Sequence, residues 1–536
     1  MKRSIFISLA LITALYATAE TNAPADFRVI CKDGTVQCYK GTDSELTFND
    51  EGTLLYITHP ENVTISYAVE GIEAIEFAAS LADKGYAYDA THIAVTTDPA
   101  DDTSYGEVKE EVITDDLHDD YGDFIENYEP KSTVVITYNG NGVTYTGNPA
   151  GVNVITNGAH VTITSTKKNI AYTLKGTTDD GSFKLYSDKK TQITLSGVNI
   201  TNPIGAAINV QSGKTMMVHL ADGTTNTLED GTSYTLTSGE QQKGTFFSEG
   251  QLVFSGKGTL NITSHYGHGI ASDDYVRLRD GNITISSVRD GINTKDRFIM
   301  YGGNLTIDAG QDGVDVGEGY IEIGGGRIVA NAVDEAITAS YEGDEDTGII
   351  DPAITPYIAI KGGLIKVTTT GDKGHALRAM STFSMSGGIV QVTTQGAGSK
   401  ALMSEEDMTL TGGKITAYTE GDALYEDGEL SSSAAIRSKS LLTISNMSIG
   451  LKSTGKGNKG INNEGNILLE SSDVKIIATG EDDIYGTETT HSVGISTDGN
   501  LTVKGGRLLI KSSHTPIKAN NQSFIDEAVY EAVTRK

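Results

Sequence analysis

The chain has 536 residues, 71 acidic against 41 basic side chains and a formal net charge of −30. A field of that sign disfavours nucleic acid and anionic membrane surfaces as partners. Only two cysteines and no tryptophan are present, which argues against a thiolate zinc framework and against a broad indole platform for a flat glucan face.

The opening segment MKRSIFISLALITALYATAE has a basic start, an apolar run from Ile5 to Tyr16 and an Ala17-Thr18-Ala19 cleavage pattern, so residues 1–19 read as a signal peptide. Cys31 lies too far along to carry a lipid anchor, and no later apolar stretch is long enough to span a bilayer. The processed protein is therefore expected to be soluble and monomeric, either secreted, at the cell surface or in the periplasm.

Residues 20–96 form the next block, with short alternating runs at LTFND, TLLYITH, NVTISYAV and IEAIEFAA that predict a small β module. Cys31 and Cys38 flank an Asp33-Gly34 turn. A two-residue turn there sets Cys31 opposite Val36, and a bridge between the cysteines stays open. Residues 97–131 follow, and the stretch from Thr97 to Pro130 carries 13 carboxylates against Lys109 alone. It reads as a solvated acidic linker.

From 132 to 522 the chain repeats. Lines starting at Tyr275, Phe298 and Tyr320 almost superimpose at steps of 23 and 22 residues, each with alternating Val, Ile and Thr broken by Gly or Asp turns. One apolar position recurs as Val161, Ile193, Val218, Leu252, Val276, Ile299, Ile321, Ile358, Phe383, Met408, Leu442, Ile467 and Leu501. The longer steps hold inserts such as those after Ser340 and Leu424. The expected fold is all-β, a parallel β-helix (solenoid) of thirteen turns. A β-propeller needs about four strands and 40 to 50 residues per blade, twice this unit. At the end, residues 523–536 place Phe524, Ile525, Ala528, Val529, Ala532 and Val533 on one helical stripe behind a Ser523/Asp526 capping box, which predicts a short C-terminal cap helix over the last turn.

In a parallel β-helix, equal repeat positions stack about 4.8 Å apart. Asp290, Asp312 and Asp334 then make one acidic column, Asp274, Asp296 and Glu318 a second, and Asn293 and Asp315 a matched pair. Stacked like charges need a neutraliser. A single Asp-Gly is ordinary turn chemistry, whereas two columns in register point to a cation. Calcium suits them, because it takes six to eight oxygen ligands in loose geometry. Arg277, Arg279, Arg289, Lys295 and Arg297 surround the same turns and compete for that role. Among the tyrosines, Tyr266 and Tyr341 lie in polar turns or inserts and are the candidates for stacking on sugar rings.

The stretch FFSEGQLVFSGKGTLNITSHYGHGIASDDYVRLRDGNITISSVRDGINTKDRFIMYGGNLTIDAGQDGVDV resembles a bacterial family of exported carbohydrate-binding right-handed β-helix proteins, pectate-lyase-like in shape. GSFKLYSDKKTQITLSGVNITNPIGAAINVQSGKTMMVHLADGTTNTLEDGTSY is similar to that family's leading coils, and the resemblance covers roughly residues 130 to 515. It implies binding of plant-type polysaccharide, cellulose or polygalacturonate, with calcium held by aspartates such as Asp290 and Asp312. Later coils depart from Asp-Gly-Ile, with His375-Ala376-Leu377, Lys400-Ala401-Leu402, Ala434-Ala435-Ile436 and Lys459-Gly460-Ile461, and are expected not to bind the ion in the same way. Three functions remain in view: a noncatalytic polysaccharide-binding protein first, then a calcium-dependent polysaccharide lyase using Arg289 or Lys295 as base, then a passive adhesin or spacer.

Overall fold

A computed structural model describes residues 25–60, 62–78, 93–96, 106, 108, 110–343 and 347–535. The signal-peptide segment 1–19 lies outside them. The described residues are all-β, with four short 3-10 turns, no α-helix and long ladders of parallel strands. None of their helices is long and apolar enough to cross a membrane. Two compact units are present, one of residues 97–421 with 437–439, the other of residues 1–96, 422–436 and 440–536.

In the first unit each repeat supplies three strands. Tyr275–Leu278, Asn282–Ser287 and Ile292–Thr294 are followed by Arg297–Met300, Asn304–Ala309 and Val314–Val316, then by Tyr320–Ile323, Arg327–Ala332 and Ile337–Ala339. Each pairs in parallel with its counterpart one repeat on: Val276 with Phe298 and Phe298 with Ile321, Ile283 with Leu305, Ile292 with Val314. The pattern follows from period-2 alternation, since Ile283, Ile285, Leu305 and Ile307 are all buried while Thr284 and Thr306 between them are exposed. Gly303 makes one of the turns at φ +79°, and a Cβ there would meet the Gly281 carbonyl oxygen at 2.6 Å, so only glycine fits.

Several expected positions move. Val276 stacks on Phe298, and Ile299 pairs with Arg277 and Glu322, one residue out of phase. Val218 pairs with Phe254, and Leu252 with Met216 and Val276. Val161 belongs to a different ladder, opposite Phe183. Consecutive apolar residues, as in Phe298-Ile299-Met300, hide which member faces inward. From Ile321 the expected column holds through Ile358, Phe383 and Met408.

The acidic segment is not simply solvated. Phe124 is fully buried, with the guanidinium carbons of Arg279 and Arg277 at 4.3 and 5.4 Å from its ring centre. Around it Arg277 binds Asp123 at 2.9 Å and also Glu110, Arg279 binds Glu126 at 2.8 Å, and Arg297 binds Asp120 at 3.3 Å. The segment is a strap whose carboxylates meet a row of arginines on successive strands.

In the second unit no C-terminal helix forms. Residues expected as a cap helix make two strands, Gln522–Ile525 and Val529–Arg535, joined by a turn in which Asp526 and Glu527 both have positive φ, 56° and 64°, and the Ala528 amide donates to the Ile525 carbonyl at 3.2 Å. Such a primed turn suits a tight chain reversal and not a helix start. Val529–Arg535 pairs in parallel with Arg507–Ser512 on one side and antiparallel with Val63–Ala68 on the other. The N-terminal strands therefore cover the last strand of the ladder: Glu45–Phe48, Leu54–His59 and Val63–Ala68 form an antiparallel meander, and Phe27, Tyr39, Leu55, Ile65 and Tyr67 share a core with Val529 and Val533. Cys31 and Cys38 are buried and unbridged. The hairpin sets Cys38 opposite Arg28 and Val36 opposite Ile30, so the thiols never face each other, and burial pushes the Cys31 thiol up to about 12. The insert after Leu424 is a hairpin, Leu424–Glu426 with Glu429–Ser431.

Candidate functional site

The first acidic column lies in the first unit, in the turns that precede the third strand of each repeat. The Asp312 amide donates to Asp290 Oδ1 at 3.2 Å, and the Glu335 amide donates to Asp312 Oδ1 at 2.7 Å. Glu335, not the expected Asp334, continues the column, because Ile292 aligns with Val314 over 22 residues but Val314 aligns with Ile337 over 23. Asn293 and Asp315 are in register as expected, and the Asn293 Nδ2 donates to Asp290 Oδ2 and to Asp315 Oδ2, both at 3.0 Å. His268 Nδ1 lies 3.0 Å from the same Asp290 oxygen.

Asp290, Asp312 and Asp315 each bring one carboxylate oxygen within 4.8 Å of the others. Burial, then the charges of Asp290 and Glu335, push Asp312 up to about 9 and Asp315 up to about 7. Glu335 is also raised by burial. No ion pair joins a lysine or arginine to Asp290, Asp312 or Asp315 among the described residues; Arg378 pairs with Glu335 at 3.8 Å, and its charge partly offsets the rise at Asp315. Four of the five competing neutralisers are engaged elsewhere, Arg277, Arg279 and Arg297 by the acidic strap and Lys295 by Glu318 at 3.2 Å, while Arg289 is exposed. What remains is a pocket of hard oxygen donors whose mutual repulsion a proton or a divalent cation relieves, a donor set that fits calcium.

The second column is arranged differently. Asp274 and Asp296 adjoin, with the Asp296 amide donating to the Asp274 carbonyl at 2.8 Å, and burial together with the Asp296 charge raises Asp274 to about 6. Gln251 donates to the Asp274 carboxylate. With Glu318 drawn to Lys295, the three carboxylates do not converge as the first set does; they line a cleft of about 430 Å3 together with Arg297, Tyr320 and Tyr357. The Tyr320 and Tyr357 rings are parallel within 4°, with centres 4.7 Å apart.

Of the two tyrosines expected to meet sugar, Tyr266 is 46% exposed and stacks on Tyr234 at 4.4 Å. Tyr341 is buried, and its hydroxyl donates to the Ile349 carbonyl at 3.2 Å and accepts from the Asp351 amide at 3.0 Å, so the insert folds over the ring and removes it from solvent. Glu335, Tyr320 and Tyr357 were not singled out from sequence. For Tyr320 and Tyr357 the available signal was their shared place at the start of a repeat line.

The described residues thus define an all-β protein with long parallel sheets and two acidic sites, the second of them edged by tyrosines. The family of carbohydrate-binding domain-containing proteins matches residues 157–431, just over half of the chain, and the chain belongs to that family. A carbohydrate-binding domain-containing protein of Acetivibrio thermocellus is 32% identical over 120 residues, 22% of this chain and 42% of the relative, so the match spans about two fifths of that relative's length. A solved polysaccharide lyase-like protein from C. thermocellum, a gadolinium derivative, is similar at a TM-score of 0.40 with 23% identity, over 52% of this chain and 99% of the other.

Proposed function

We propose that this protein is a noncatalytic polysaccharide-binding protein, exported from the cell, that folds as a right-handed parallel β-helix and holds calcium on its coils. The observation that carries the reading is the convergence of Asp290, Asp312 and Asp315 on one point, inside the family match, with no lysine or arginine ion-paired to them among the described residues and His268 beside Asp290 alone. Calcium is the fitting cation because every converging donor is a carboxylate oxygen, and Asn293 steers two of the three carboxylates by its amide hydrogens. The polysaccharide is of plant cell-wall type. A chain of net charge −30 and a polyuronate repel each other, so a cation shared between their carboxylates is what joins them.

The test is retention of polygalacturonate by the protein with calcium and with excess chelator, while the absorbance of unsaturated uronate products is followed. Retention that needs calcium, with no product formed, is expected. The double variant Asp290→Asn, Asp312→Asn keeps the turns, which Asn tolerates, and should lose uronate binding with an unchanged circular dichroism spectrum. Binding that persists in excess chelator overturns the bridging model, and accumulation of unsaturated product overturns the noncatalytic one.

A further inference from the structure

We propose that the cleft between Asp274, Asp296, Glu318, Tyr320 and Tyr357 binds a neutral sugar unit without a cation, as a second subsite separate from the Asp290 cluster. The proposal rests on the reading of this protein as a polysaccharide binder and adds where, and by what chemistry, an uncharged residue of the glycan is held.

The cleft measures about 430 Å3, within the range of roughly 300 to 1,000 Å3 typical of small-ligand pockets. One wall is a column of flat side chains at the same position of successive repeats. Tyr275 pairs in register with Arg297, and Arg297 with Tyr320. The Arg297 guanidinium lies 4.2 Å from the Tyr275 ring centre, its Nη1 donates to the Tyr320 hydroxyl at 3.4 Å, and Tyr320 stacks on Tyr357 at 4.7 Å. Stacking fixes these rings before any ligand arrives, so little side-chain freedom is lost on binding. Phenol groups combine an apolar body, against which sugar C–H groups pack, with a hydroxyl that hydrogen-bonds.

The other wall is carboxylate, and its charge selects the ligand. A uronate would meet Asp274, Asp296 and Glu318 with no unengaged cation to receive it, because Arg297 is bound to Asp120 and Lys295 to Glu318. The wall therefore disfavours anionic sugars. Neutral hydroxyls avoid that penalty, since each donates to a carboxylate oxygen and accepts from a phenol or guanidinium. Asp274 and Asp296 adjoin while Glu318 turns to Lys295, so the three do not gather on one point as Asp290, Asp312 and Asp315 do, and this column suits hydroxyls where the Asp290 column suits an ion.

The experiment is calorimetric titration of the full chain with cellohexaose, xylohexaose and mannohexaose in excess chelator. At least one should bind, and Tyr357→Ala and, separately, Asp296→Ala should each weaken that binding about tenfold. Asp296 is exposed, so its removal leaves the fold intact even where loss of Tyr357 disturbs the stack. The Asp290→Asn, Asp312→Asn variant should bind the neutral oligosaccharide as the parent does. Unchanged affinity in both cleft variants overturns the proposal. Absence of any neutral binding, with calcium-dependent polygalacturonate binding retained, overturns the cleft alone; loss of polygalacturonate binding with neutral binding retained counts against the calcium reading alone.

Discussion

Lys400 occupies the repeat position that Asp290 and Asp312 occupy earlier: the Ala376 amide donates to the Lys400 carbonyl at 3.0 Å, as the Gly291 amide donates to that of Asp312 at 2.8 Å. It is buried, and its Nζ donates to the Gly398 carbonyl at 2.5 Å. Burial, with the positive charges of Arg437, Lys373 and Lys439, pushes it down to about 7, and neighbouring His375 is held well below its ordinary range. An unfolded lysine titrates near about 10.4, so folding releases a proton between the two values and stability rises with pH from about 7 to about 10.4, with no further change below. Lys400→Met should therefore raise Tm at pH 6 and lose most of that gain by pH 10, a difference on the order of a few kcal/mol. A gain independent of pH would refute the assignment. Phe124 makes a second residue-scale case, because it is the apolar anchor under Arg277 and Arg279. Phe124→Ala should cost about 3 to 5 kcal/mol in urea unfolding, with the acidic strap becoming susceptible to protease.

Among the elements, the strand Val529–Arg535 decides how the second unit ends. It has a ladder partner on each side and is buried along six of its seven residues. A strand covered on both faces shows no period-2 alternation, and its apolar residues then satisfy a helical stripe equally well. Ala532 pairs with Ser66 and with Ile510, so Ala532→Pro removes a ladder donor and clashes in the middle of a sheet. Loss of several kcal/mol is expected, with amide exchange accelerating in both Val63–Ala68 and Arg507–Ser512. Removal of residues 1–78 should bare the edge of this strand and yield concentration-dependent association in size-exclusion chromatography, where a monomeric elution would show that the N-terminal strands are dispensable.

On the scale of the whole molecule, the excess of 71 acidic over 41 basic residues is distributed unevenly in effect. The strap uses its carboxylates on arginines, whereas among the described residues the Asp290 cluster has no lysine or arginine ion pair and meets His268 at Asp290. Calcium should accordingly act as a stabilising ligand, worth about 2.7 kcal/mol at a concentration a hundredfold above its Kd. Calorimetric Tm should rise with calcium and fall back with chelator, and the Asp290→Asn, Asp312→Asn variant should be insensitive to both. A parent protein equally insensitive would remove the cation from the site.

The all-β class, the repeat and the acidic columns were legible in the chain because period-2 alternation and a 22- to 23-residue period are local properties that stacking does not alter. Asp290, Asp312, Asn293 and Asp315 could be aligned by counting alone. Counting failed where one residue of slack entered, placing Glu335 in the position read as Asp334, since only inter-strand hydrogen bonds fix a register across a turn. Tertiary structure alone decided which tyrosines remain open, as Tyr341 is closed off by its own insert while Tyr320 and Tyr357 line a cleft. It also turned the acidic segment into a strap and the last residues into a strand. Burial, pairing and ring exposure depend on contacts between residues more than a hundred apart, such as Glu110 with Arg277 and Ile65 with Val533, and no local pattern carries that information.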